Sequence, residues 1–182
     1  MGDPRKQRKK YETPRNPWRQ DQIEAELQLI GEYGLRNKRE LWKSRTALSR
    51  IRGIARSLLA KEESERIRLE KEFLESLGKK GILPENANID DVLDLDIKDI
   101  LERRLQTVTF RKGLAKTIGQ ARQFVSHGHV KIGTRAVYIP SYLVTRSDES
   151  NIKITPEISA RIGREAKAQE PKGAPSPPRP AK

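Results

Sequence analysis

The sequence contains no cysteine and few aromatic residues, and both scarcities narrow the classes of protein that it can encode. Without cysteine there are no disulfide bonds and no thiolate-bound zinc, which fits a reducing compartment. No apolar run approaches the ~20 residues that a membrane-spanning helix needs. Apolar residues make up 34% of the 182 residues, below the ~45–50% of an average domain. We therefore expect two small cores with charged arms rather than one large core.

Positive charge is abundant and unevenly distributed. There are 38 Lys and Arg residues against 25 Asp and Glu residues, for a net charge of +13. Residues 81–100 hold one base and six acids, whereas residues 101–140 hold eight bases and one acid. Nucleic acid is the leading partner, because neutralised phosphates release counterions. An anionic membrane surface is the alternative, but no basic helix here carries the strong apolar face that such binding requires.

Hydrophobic spacing and turn residues predict an α+β chain in four parts. Residues 1–20 form a basic arm, of which residues 1–15 are expected to be disordered because they have almost nothing to bury. Residues 21–101 are a helical region. Residues 102–155 are a module of two helices packed on a small β-sheet. Residues 156–182 are a short helix and a flexible tail with five prolines after position 170.

Three amphipathic helices are predicted in the first half. One spans about 17–34 and ends at Gly34, one begins at the capping motif Asn37-x-x-Glu40, and one covers about 62–77. Their expected buried residues are Ile23, Leu27, Ile30, Leu41, Leu48, Ile51, Ala55, Leu58 or Leu59, Ile67, Phe73, Leu74 and Leu77. Asn88 or Asp90, and then Asp94 or Asp96, are expected to cap two further helices.

A helix is predicted over 97–111, which Gly113 ends. This helix leads from the helical region into the module and is the first of the module's two helices. Thr117 caps a second helix over 118–127, with Ala121, Phe124 and Val125 inward. Alternating apolar residues predict strands at 130–132 and 136–139, joined by a Gly133-Thr134 turn, and a third strand at 152–154.

Within this module, the stretch Arg103–Ile139 holds eight Lys or Arg residues, both histidines and no acid. The turn at 111–117 places three cations beside a helix N-terminus, whose amides favour phosphate. Contacts to phosphate and 2′-hydroxyl groups along such a surface would recognise RNA by shape. His127 and His129 lack a third metal ligand nearby, and the acids between 90 and 99 lack the pattern of a calcium loop. Without a nucleophile-and-base set, we expect neither an enzyme nor a cofactor.

The same stretch resembles the S4 RNA-binding domain. The matching residues are Arg104-Leu105, Arg111-x-Gly113, Ala121-Arg122, Val125-x-x-Gly128-x-Val130-x-Ile132 and Arg135-x-Val137-x-Ile139-Pro140-Ser141-Tyr142. The preceding segments 33–42 and 55–59 resemble the helical region of the S4 family of small-subunit ribosomal proteins, in its archaeal or eukaryotic form. Two departures stand out: Gln106 occupies a position where many S4 domains have Asp, and Gly133-Thr134 replaces a frequent Asn-Gly turn.

This resemblance implies a cytoplasmic, structural constituent of the small ribosomal subunit. It implies direct binding to small-subunit ribosomal RNA, a role in nucleating assembly, contact with neighbouring ribosomal proteins, and an effect on decoding accuracy near the mRNA entrance. The expected RNA-binding residues are Arg104, Arg111, Lys112, Lys116, Thr117, Arg122, Gln123, His127, Lys131, Arg135, Arg45, Arg52, Arg56, Lys38, Arg39, Arg5, Lys6 and Arg8. The alternatives are an RNA-modifying enzyme that carries an S4 domain, or a free RNA-binding factor of the heat-shock type.

Overall fold

The computed structural model describes residues 9–84 and 86–156. The helical region consists of α1 (Gln20–Glu32), α2 (Lys38–Leu59), α3 (Glu63–Lys79), α4 (Ile89–Asp94) and α5 (Ile97–Glu102). The module consists of α6 (Leu105–Arg111), α7 (Ile118–Ser126), β1 (Val130–Ile132), β2 (Arg135–Ala136), α8 (Arg146–Glu149) and β3 (Ile152–Ile154). The α+β fold class is therefore confirmed.

Local side-chain hydrogen bonds start the helices where the sequence predicts. The side chains of Asn37 and Thr117 each accept a hydrogen bond from the amide three residues on, at 3.3 and 3.1 Å. Of the alternatives for the two short helices, the structure selects Asn88 and Asp96, which begin capping boxes with the aspartate three residues later. These bonds satisfy amides that a helix leaves unpaired.

The buried side chains form three clusters. The largest lies among α2, α3, α4 and α5 and comprises Leu48, Ala55, Leu58, Leu77, Leu83, Ala87, Ile89, Val92, Leu95 and Ile100. The module has its own core of Leu105, Val108, Ala115, Ala121, Phe124, Val125, Val130, Val144 and Ile152. A third, smaller cluster of Tyr33, Leu35, Leu41 and Leu101 joins the start of α2 to the end of α5. The sequence predicted two small cores, and the structure has these three.

The helix predicted over 97–111 is interrupted at Arg103 and Arg104, which corrects the prediction. Arg104 has an extended backbone and pairs with Leu143 in an isolated β-bridge. The amide of Leu105 donates to the Tyr142 carbonyl at 2.7 Å. A distant segment thus competes for these backbone groups, and helical periodicity cannot reveal such a competitor.

The module's sheet has the strand order β2-β1-β3, and both pairings are antiparallel. Strand β2 covers only Arg135–Ala136, shorter than the predicted 136–139. The amide of Val137 still donates to the Val130 carbonyl at 3.1 Å. Tyr138 then lies across Gly128, whose backbone has a φ of +77°. A side chain at Gly128 would meet the tyrosine ring, so the glycine permits this crossing.

Two other expectations differ from the structure. Leu27 and Ile67, predicted to be buried, are 54% and 64% exposed, because no element covers those faces of α1 and α3 within the described chain. Residues 9–15 were predicted to belong to a disordered arm. They instead lie against the side of α2, where the amide of Glu12 donates to Thr46 Oγ1 at 3.0 Å. The predicted helix and tail at 156–182 lie almost wholly outside the described residues, which end at Pro156.

Candidate nucleic-acid interface

Arg104, a predicted RNA contact, lies in the interior instead. Its side chain is 5% exposed, and its guanidinium donates to Glu40 Oε2 at 2.7 Å. Glu40 belongs to the first turn of α2, so this ion pair joins the helical region to the module. A guanidinium held there cannot reach an RNA backbone, and we therefore remove Arg104 from the candidate interface.

Arg122 reaches the same carboxylate from α7. Its Nη2 donates to Glu40 Oε1 at 2.7 Å, and its Nη1 lies 3.3 Å from Gln106 Oε1. The side-chain amide of Gln106 in turn donates, through Nε2, to the backbone carbonyls of Gly34 and Ile118, each at 3.1 Å. An aspartate at position 106 could not donate those two bonds. The departure from the usual S4 residue therefore has a structural use in this chain.

The electrostatics of Glu40 fit a structural role. Burial raises the pKa of Glu40, but the hydrogen bond and charge of Arg122 together with those of Arg104 outweigh burial, so the pKa lies below its ordinary value. Burial lowers the pKa of Arg104, and Glu40 opposes that effect. The carboxylate thus stays ionised between two guanidinium groups.

Groups from outside the basic stretch also hold two cations of the predicted turn, one through an acid and one through a backbone carbonyl. Arg111 Nη2 donates to Glu102 Oε1 at 2.7 Å, although the Arg111 side chain remains exposed. This hydrogen bond lowers the pKa of Glu102. Lys112 donates to the backbone carbonyl of Glu149. A stretch without acids in its own sequence is therefore not a surface without acids.

The start and end of α7 remain exposed. Lys116 and Thr117 precede the helix, and Gln123 and His127 lie at its far end. The backbone amide of Lys116 donates to Gln120 Oε1 at 2.7 Å, which fixes the turn. The structure thus leaves these four predicted residues exposed, two just before this short helix and two near its end.

The sheet places the predicted contacts Lys131 and Arg135 on opposite faces and adds Lys153 to the candidate RNA-binding residues. Lys131 of β1 lies directly opposite Lys153 of β3, and both are exposed. Arg135 is paired with Ile132, so it belongs to the other face, because opposed residues share a face of the sheet. Sequence reasoning missed Lys153, although the pattern Ile-Lys-Ile at 152–154 repeats that of Val-Lys-Ile at 130–132 and could have indicated it.

The predicted contacts of α2 differ in how free they are. Lys38 forms an ion pair with Glu26 at 3.3 Å, and Arg52 donates to the carbonyl of Leu95. Arg39, Arg45 and Arg56 are exposed. The remaining predicted residues, Arg5, Lys6 and Arg8, lie outside the described residues.

Neither a metal site nor a membrane-spanning element emerges from residues 9–84 and 86–156. No group of three or more His, Asp or Glu side chains in these ranges could hold a metal ion. The helices found there are too short or too polar to cross a membrane.

Comparison with known proteins identifies the module and the chain. The S4 domain family matches residues 103–150. The small ribosomal subunit protein uS4 of Picrophilus torridus is 52% identical over 155 residues, which cover 84% of this chain and 85% of that protein. Those of Hyperthermus butylicus and Ignicoccus hospitalis are 49% and 51% identical over 156 residues, 86% of this chain and 89% and 94% of theirs. The chain belongs to the uS4 family.

Membership of the uS4 family confirms several sequence-based predictions. The resemblance to the archaeal form of this ribosomal family is correct, since the relatives come from archaeal species. The relatives are named as ribosomal proteins, so the prediction that the chain is not an enzyme is also confirmed. The alternative of an RNA-modifying enzyme is set aside.

Proposed function

We propose that this uS4 protein is a structural constituent of the small ribosomal subunit in the cytoplasm and binds small-subunit ribosomal RNA directly. Neighbouring ribosomal proteins are its other partners. Family membership supports the location, and the charge of the module's surface supports the ligand. The RNA-facing residues that we propose are the exposed cations and polar groups that the fold leaves on the module, supplemented by those of α2.

The observation that carries this proposal is the division of the module's cations into two groups. Arg104 and Arg122 are held by Glu40 and stabilise the protein itself. Lys131 and Lys153 instead have exposed side chains. Two lysines placed opposite each other on a sheet repel one another, so a phosphate between them would relieve a cost that the protein bears alone.

The resemblance supports two finer proposals. One is that the protein binds early and nucleates assembly of the subunit. The other is that it lies near the mRNA entrance and affects decoding accuracy. Subunits reconstituted with Lys116→Ala should miscode at a different rate from wild-type subunits, as measured by misincorporation on a defined message. Omission of the protein should stall reconstitution at an early particle, which sedimentation detects.

The main experiment measures binding to a small-subunit rRNA transcript as a function of salt. Six phosphate contacts would give a log–log slope near −5, if roughly 0.9 counterions are released per contact. Lys131→Ala with Lys153→Ala should weaken binding by about 2 kcal/mol, at ~1 kcal/mol per charge-assisted contact. The slope should become shallower by about 2.

The matched control removes the same charge from elsewhere. Lys61→Ala with Arg68→Ala deletes two cations of exposed ion pairs, one just before α3 and one on it. This variant should bind the transcript almost as well as the wild type does. Equal losses in both variants would mean that only net charge matters, and an unchanged affinity in the Lys131 and Lys153 variant would place the interface elsewhere.

A further inference from the structure

A polar pocket of about 400 Å³ lies between the N-terminal arm and helices α1 and α2. Arg15 and Arg19 line it from the arm, Arg45 and Trp42 line it from α2, and Glu12 is its one acidic residue. Its volume falls within the ~300–1,000 Å³ of ordinary small-molecule sites. It is separate from the module's surface, because all of its lining residues precede position 50.

The pocket is held open by a chain of specific contacts rather than by chance packing. The amide of Glu12 donates to Thr46 Oγ1, which itself donates to the Trp42 carbonyl at 2.8 Å. The Trp42 indole N–H donates to Glu26 Oε1 at 3.1 Å, which fixes the ring. The ring of Tyr11 lies 6.0 Å from that of Trp42. The arm is therefore fastened along α2 and forms one wall.

The charge inside the pocket is available for a ligand. The side chains of Arg15 and Arg45 are exposed and make no hydrogen bond or ion pair with the residues that the structure describes. Arg19 is paired with Asp21 only at 3.7 Å, and both side chains are exposed. In the module, by contrast, Arg104 and Arg122 are committed to Glu40. Three guanidinium groups against one carboxylate leave a net positive pocket.

A second cleft continues this surface along α2. Arg45 and Ser49 line both clefts, and Arg52 and Arg56 line the second one together with Asp96. These positions recur at intervals of three and four residues, which places them on one side of the helix. A strand of phosphates could therefore leave the pocket along α2 without turning.

We propose that the pocket receives one unstacked nucleotide of single-stranded RNA, whose base contacts Trp42 and whose phosphate lies among Arg15, Arg19 and Arg45. The phosphates that follow run along Ser49 and Arg56, because Arg52 is held by the Leu95 carbonyl. Guanidinium groups bind phosphate bidentately, and sequence-tolerant stacking on aromatic rings is how proteins take up unpaired bases. The inference rests on the proposed RNA-binding function and assigns it a second site.

The fluorescence of Trp42 tests the proposal. The chain has two tryptophans, so Trp18→Phe leaves Trp42 as the single reporter in the full-length protein. A short oligoadenylate should change the Trp42 emission, whereas an oligomer of abasic ribose phosphates should bind without that change. Arg45→Ala should weaken oligoadenylate binding about tenfold, the scale of one charge-assisted contact. Arg50→Ala is the matched control, since Arg50 is exposed on α2 and lines neither cleft.

Three outcomes of the measurements with short ligands would contradict the proposed nucleotide site. They are an unchanged Trp42 emission with oligoadenylate, equal losses in the Arg45 and Arg50 variants, and a response to adenosine monophosphate alone, which would make the site one for free nucleotides. Measuring the rRNA transcript with the same variants separates this proposal from the one above. If the transcript binds wild type and the Arg45 variant alike, the pocket fails and the ribosomal function stands. If the wild type ignores the transcript, the proposed function itself fails.

Discussion

Replacing Glu40 with alanine is expected to destabilise the whole protein, although the residue lies at the start of a helix. Its carboxylate accepts hydrogen bonds from Arg104 and Arg122, each at 2.7 Å. Arg104 Nε has no hydrogen-bond partner among the described residues, so Glu40 provides most of the compensation for that buried charge. The variant would leave the Arg104 guanidinium enclosed and unpaired.

The magnitude follows from how far each partner can escape to water. Removing one member of a buried ion pair costs about 3–5 kcal/mol. The side chain of Arg104 is 5% exposed, whereas that of Arg122 is 25% exposed and can turn towards solvent. Only Arg104 should bear the full penalty, so we expect about 3 kcal/mol. That is a large part of the ~5–15 kcal/mol that stabilises a typical domain.

Urea unfolding followed by circular dichroism measures the effect. With a slope of about 2 kcal/mol per molar urea, the Glu40→Ala midpoint should fall by about 1.5 M. Glu72→Ala is the control, since Glu72 pairs with Arg68 at 3.3 Å on an exposed surface and such pairs contribute ~0.5 kcal/mol or less. Glu40→Ala combined with Arg104→Met should recover much of the loss, because no charge then remains buried without a partner.

The predicted role of Glu40 is wrong if Glu40→Ala and Glu72→Ala unfold at the same urea concentration. It is also wrong if the Arg104→Met combination is less stable than Glu40→Ala alone. Either result would mean that Arg104 finds water or another acceptor, and that the junction between helical region and module depends on apolar contacts instead.

Three further predictions follow from the same geometry. Leu105→Ala should cost about 2–5 kcal/mol, because Leu105 is fully buried in the module's core. An unchanged melting temperature would contradict this prediction, because even a core that closes around the gap loses the transfer free energy of the deleted methyl groups. Gly34→Ala should destabilise the protein by about 1–2 kcal/mol, because Gly34 has a φ of +55° and an added Cβ would lie 2.7 Å from Ile118 Cγ2. Gly119→Ala should not destabilise it, because a Cβ added at Gly119 meets nothing within 4 Å. Because the folded pKa of Glu40 lies below its ordinary value of 4.5, its stabilisation is present above about pH 5 and is lost as the pH falls through the folded pKa. The stability difference between wild type and Glu40→Ala should therefore shrink in acid, and a constant difference from neutral to acidic pH would contradict this account.

Features set by neighbours along the chain could be predicted from the sequence. The caps at Asn37 and Thr117 depend on an amide three residues away, and both form as predicted. The inward positions of Ala121 and Val125 follow from helical periodicity, and β1 and β3 follow from alternation. The resemblance to the S4 domain depended on these same local patterns.

Features set by distant partners could not be predicted. Glu40 pairs with Arg104 and Arg122, which are 64 and 82 positions away in the sequence. The sequence around either arginine does not indicate that Glu40 is its partner. The same applies to the break before α6, which depends on Tyr142 and Leu143. Charge counted along the sequence therefore overestimated the RNA surface of the module, because the fold brings acids from elsewhere to its arginines.

The position of Glu40 also constrains how the molecule is made. Synthesis proceeds from the N-terminus, so α2 leaves the translating ribosome well before either of its arginine partners has been added. During that interval the Glu40 carboxylate is hydrated, and the helices already made lack the ion pairs with Arg104 and Arg122. A purified fragment that ends before position 104 should therefore be cleaved readily by protease between α1 and α5, whereas one that extends past β3 should resist.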